Sequence, residues 1–132
     1  MALQDMQKNA MMSHLIDSLK QGKDIGHYGR LVFTMIARHF LTEDELVQQL
    51  AQDRDFSEEQ ARELYRQVQQ HDYNPPRREK ILDFQSRQKF PICPNPDDPD
   101  AGNVYKDLQF PEHVYGHIAE YRHEKEEAGA TK

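Results

Sequence analysis

Apolar side chains recur along this chain with a helical period, and no stretch alternates apolar and polar residues as a half-buried strand would. Met11, Leu15 and Leu19 fall four apart with Ile16 beside them, which predicts a first helix from about Leu3 to Lys20. The run Gly22-Lys23-Asp24-Ile25-Gly26 then interrupts it. Leu31, Val32, Met35, Ile36 and Phe40 predict a second helix from about Tyr28 to Phe40, the most apolar of the set and the expected centre of the core. Thr42-Glu43-Asp44-Glu45 and Ser57-Glu58-Glu59-Gln60 both read as capping boxes: a hydroxyl accepts from the amide three residues on, and that residue's side chain reaches back. They set the starts of a third helix burying Leu46, Val47 and Leu50, and a fourth burying Ala61, Leu64, Tyr65 and Val68. A fifth helix is expected from about Pro76 to Gln88, with Ile81, Leu82 and Phe84 inward. Phe90 to Gly102 carries prolines 91, 94, 96 and 99 and cannot be regular helix, because each proline lacks an amide donor and clashes with the preceding turn. A sixth helix is expected from Pro111 to about Glu126, with Val114, Ile118 and Tyr121 inward.

The pattern predicts an all-α fold, a compact bundle of five or six helices with a proline-rich irregular arm strapped across it. Residues 1–22 form an N-terminal helix, 23–90 the helical core, and 91–132 the arm and last helix. Met6, Met11, Met12 and Leu15 give the first helix a methionine-rich face suited to adaptable contacts, which makes that helix a candidate oligomerisation element and the chain a candidate homodimer.

Composition narrows the functional classes. The chain has 132 residues, 36% of them hydrophobic, enough for one modest core. No apolar run approaches the length of a membrane span, and the first twelve residues lack the basic and apolar blocks of a secretory leader, so no membrane partner is expected. The single cysteine excludes an intramolecular disulfide and any all-cysteine metal centre within the chain, and fits a reducing cytoplasm. The net charge of −6 is concentrated at the end: residues 91–132 carry −5. One local basic segment, Pro75 to Phe90, nets +3. A protein that grips nucleic acid unaided shows a broader basic face.

Four groups of residues carry candidate chemistry. Arg30, Arg77, Arg78, Lys80 and Arg87 are the candidate nucleic-acid or anion contacts; Arg30 stands on the first turn after Gly26-His27-Tyr28-Gly29, whose amides could hold a phosphate or carboxylate. Phe90, Tyr105, Phe110 and Tyr115, on and beside the arm, are the candidate partner-binding aromatics. His113 and His117, four apart on the last expected helix, share a face and form the candidate metal pair, the one point at which a metal ion enters; no other cofactor is expected. Cys93, between prolines and without a local base, reads as a small hydrophobe anchoring the arm.

From His27-Tyr28-Gly29-Arg30 through Glu43 to Glu45, Tyr65, Tyr73-Asn74-Pro75-Pro76 and Cys93, about half of the chain resembles the helical C-terminal domain of DNA primase large subunits. That resemblance implies contact with template and initiating nucleotide through Arg30, Arg77, Arg78 and the nearby aromatics. It does not extend to the family's four-cysteine iron–sulfur cluster, because Arg77 and Arg78 stand where a cysteine is expected and only Cys93 remains.

No catalytic signature emerges from these residues. The leading expectation is a small non-catalytic accessory protein that binds a larger protein assembly through the arm and last helix. A nucleic-acid-contacting module of a replication or defence complex and a metal-binding protein are the alternatives.

Overall fold

A computed structural model describes residues 2–95, 97–98 and 103–114. The architecture is all-α and compact, as the periodicity predicts. Among the described residues seven helices are complete: α1 (Ala2–Met6), α2 (Ala10–Lys20), α3 (Gly26–Ala37), α4 (Glu43–Leu50), α5 (Glu58–His71), α6 (Arg78–Ser86) and α7 (Val104–Asp107). Helical backbone resumes at 112–114, so the start of the sixth expected helix is observed while its remainder lies outside the described residues.

α3 is the hub. It packs against α2, α4, α5 and α6, and its Val32, Phe33 and Ile36 are fully buried. Both capping boxes form: the Glu45 amide donates to Thr42 Oγ1 at 3.2 Å and the Thr42 amide to Glu45 Oε1 at 2.9 Å. The second box, between Ser57 and Gln60, has 3.1 and 2.9 Å. Arg62 of α5 then reaches Glu43 and Asp44 on the first turn of α4, tying the two helices together at their surface.

Four features depart from the sequence pattern. The single N-terminal helix is split, because Asn9 caps α2: its Oδ1 accepts from the Met12 amide at 3.0 Å. Asn9 Nδ2 also donates to Asp107 Oδ2 at 2.9 Å, a partner 98 residues away that local periodicity cannot reveal. The methionine-rich face is not an oligomerisation surface, since Met6, Met11, Met12 and Leu15 are all buried within this chain's own core. That core runs from Met6 to Val114, so the N-terminal helices, the middle and the arm share one interior. The short helix α7 was not expected; it carries Val104, and the adjoining Leu108, inward.

The arm is strapped down. Ile92 and Cys93 are buried, the Cys93 amide donates to Gln85 Oε1 at 2.6 Å, and His14 Nε2 meets the Pro91 carbonyl at 2.8 Å. Gln88 clamps the arm's root to the start of α3. Its Oε1 accepts from the amides of Tyr28 (2.8 Å) and Gly29 (3.4 Å), while Nε2 donates to the carbonyls of Ile25 (2.9 Å) and Phe90 (3.0 Å). Gly26 is required beneath this clamp: it sits at φ +79°, and a Cβ there would fall 2.5 Å from Gln88 Oε1. Gln88→Ala strands these amides and carbonyls, so a loss of about 2 kcal/mol is expected. Urea unfolding checks it; Gln88→Glu should recover only part, because it keeps the acceptor and loses the donor.

Candidate functional site

An open groove of about 990 Å³ lies between α3, α5 and α6. Helical spacing builds its floor: Leu31 and Met35 are one turn apart on α3, Leu64 and Val68 one turn apart on α5, and Phe84 comes from α6. α5 and α6 both pack on α3, and at nine residues α6 spans only roughly 13 Å against about 21 Å for α5. The rim carries His27, Gln67, Asn74, Arg77, Glu79, Lys80 and Asp83.

Tyr73 stands at one end. It is 42% exposed, the only large hydrophobic side chain left exposed among the described residues. The turn that presents it is held from both sides. α5 ends at Asp72 in the left-handed region (φ 50°, ψ 46°), a conformation a short polar side chain tolerates. Arg38 then gathers the turn, donating to Gln69 Oε1 (2.9 Å), Asp72 Oδ1 (2.8 Å) and the Tyr73 carbonyl (2.8 Å). On the far side the Tyr105 hydroxyl donates to the Pro75 carbonyl. The Tyr73 ring stacks on His71 at 5.2 Å.

The five candidate cations do not form one surface. Arg30 is buried, its side chain 11% exposed, and Nη1 pairs with Asp53 (3.1 Å) and Asp24 (3.0 Å) while the guanidinium lies 4.4 Å over the Phe56 ring. Its charge is therefore matched inside the fold, and the neighbouring amides of Tyr28 and Gly29 are taken by Gln88 rather than left for an anion. Arg78 Nε donates to the Asp98 carbonyl at 3.4 Å on the arm. Asp83 lies 3.9 Å from Lys80 and 3.4 Å from Arg87. Only Arg77 and Lys80 reach the groove, where they alternate with Glu79 and Asp83.

The arm's aromatics also face differently from the expectation. Phe110 is buried, 4% exposed, with ring centroids 5.7 Å from His39, 5.4 Å from Phe40 and 5.4 Å from Tyr105. Phe90 stacks on His14 at 5.2 Å, and Tyr105 is half-buried against the core. These side chains fasten the arm inward and do not make an outward docking edge; Tyr115 lies outside the described residues. Cys93 anchors as expected, and burial pushes its thiol up, away from the reactive thiolate.

Of the metal pair, His113 is exposed near His39, and His117 lies outside the described residues. Among the described residues no three His, Cys, Asp or Glu side chains converge on one metal position. Burial, with the Arg38 charge and His113 adding to it and Asp72 opposing, lowers the His39 pKa to about 4. The groove itself was hidden in the sequence, because Leu31, Met35 and Leu64 have the spacing of core residues. Tyr73, just before two prolines, was its one outward signal.

The residues that carry the primase resemblance are dispersed: Arg30 in the interior, Tyr73, Asn74 and Pro76 on the groove, and Cys93 buried where the arm meets the core. No described helix is long and apolar enough to cross a membrane. Comparison with family models, with curated proteins and with solved structures finds no match to this chain.

Proposed function

We propose that the chain is a non-catalytic accessory module that holds a segment of a partner protein in the groove between α3, α5 and α6. The observation that carries this reading is the exposed Tyr73 ring at the mouth of an apolar floor. Tyrosine offers a large rigid surface with a polar tip and is enriched among residues that dominate protein interfaces. A floor of Leu31, Leu64 and Phe84 inside a rim of mixed charge has the anatomy of such an interface. Nucleic acid is favoured less, because Arg77 and Lys80 alternate with Glu79 and Asp83 and Arg30 is already paired.

The test is affinity purification of the full chain from its source cells, in parallel with Tyr73→Ala and Leu64→Lys, each first shown to melt like the parent. A partner polypeptide retained by the parent should bind the variants roughly tenfold more weakly or worse. Retention indifferent to both substitutions overturns the proposal. So does salt-sensitive binding of single-stranded DNA or RNA that is lost in Arg77→Ala/Lys80→Ala, which assigns the groove to nucleic acid.

A further inference from the structure

A second polar cluster lies beyond the C-terminal end of α3, where the strap returns to the core. The His39 ring meets Phe110 edge to face, with centroids 5.7 Å apart, and stands 6.1 Å from the His113 ring at a tilt of 56°. His39 Nε2 is buried and has no hydrogen-bond partner among the described residues. A buried polar atom without a partner is uncommon in a folded protein and marks a place where one belongs. Phe110 organises the pair: it seats the His39 ring and precedes His113 by three residues.

The surroundings keep His39 in its neutral form, the form that ligates metals. Arg38 is the nearest unfavourable charge for a cation, and its guanidinium is already paired with Asp72 at 2.8 Å. With metal–nitrogen bonds of about 2 Å, two imidazoles sharing an ion stand roughly 5 to 6 Å apart between ring centres, the separation found here after a small closure. His113 is exposed and so has room to turn toward His39.

We propose that His39 and His113 are two ligands of a site for a divalent cation that prefers imidazole, of the zinc, nickel or copper class, and that the ion pins the strap to the end of α3. Nothing in the sequence joins these two residues, which are 74 positions apart; the packing of Phe110 brings them together. The site is separate from the groove, and its failure would leave the docking proposal untouched.

The test uses the full chain stripped with chelator and titrated with Zn²⁺ and with Ni²⁺ by calorimetry near pH 7.5. The expected result is one ion per chain and a rise in Tm of roughly 5 °C at saturating Zn²⁺. His113→Ala and His39→Gln should each weaken binding at least about tenfold. Should His39→Gln not fold, paramagnetic Ni²⁺ on the parent serves instead, and broadening centred on the His39 and His113 ring resonances supports the site. Equal affinity in the parent and in both variants overturns it, as does the absence of saturable binding. Dependence on His113 and His117 with His39→Gln unaffected also overturns it, because the ion then belongs to the pair on the last helix alone.

Discussion

Asp53→Ala is expected to destabilise the fold by about 3–5 kcal/mol, the cost of leaving a buried charge without its counter-ion. Asp53 is 2% exposed and serves three donors at once. Oδ2 accepts from Arg30 Nη1 at 3.1 Å and from the Ile25 amide at 3.0 Å, and Oδ1 accepts from the Asp55 amide at 2.9 Å. Alanine removes all three and strands the Arg30 guanidinium between Phe56 and the end of α4. Asp24, 3.0 Å away but 37% exposed, compensates only in part. Urea denaturation with the slope checked against the parent measures the effect. Asp53→Asn should fall between the two, since it keeps an acceptor for the Ile25 amide and loses the charge. Arg30→Met in the Asp53→Ala background should recover some of the loss, the non-additive signature of an ion pair. A loss below about 1 kcal/mol in Asp53→Ala would show that the pair is not what fastens α3 to the loop after α4.

Phe110→Ala is expected to cost about 3 kcal/mol, the low end of the range for deleting a buried phenylalanine ring. The ring fills the space among His39, Phe40 and Tyr105. Because the strap is the last layer laid on the core, the deficit should appear locally before it appears globally. Amides of 104–114 should exchange faster while those of α3 and α5 keep their protection. Native-state hydrogen exchange separates the two regions. Unchanged protection in 104–114 would mean that the strap is held by Ile92, Cys93 and Gln85 without the ring. Partner binding in the groove should survive the substitution, whereas a docking edge on the arm would lose it.

Local chemistry was legible in the sequence where it is decided locally. Thr42 and Ser57 start their helices as their capping patterns require, and the apolar period of α3 correctly marks it as the hub. Partners remote in sequence were not legible. Asn9 looks like an ordinary polar residue inside an amphipathic helix until Asp107 is placed beside it. Arg30 reads as a phosphate contact until Asp53 arrives, 23 residues later, to neutralise it. The methionines of the first two helices carry the right side chains for an adaptable surface, and only the packing shows that the surface is internal. The groove is the same effect in reverse. Leu31 and Leu64 have the spacing of core residues, and it is the placement of α5 and α6 on α3 that leaves them open.

The bond between Asn9 and Asp107 has a consequence for biosynthesis. On the ribosome the first 90 residues can collapse into a helical nucleus while the strap is still inside the exit tunnel, yet Asn9 must wait for Asp107 to emerge. Closing so long a loop is slow compared with forming the local helices. Until it closes, Ile92, Val104 and Phe110 are absent from the interior they complete. Until that closure the nascent chain carries a bare apolar flank, the state most exposed to misassociation.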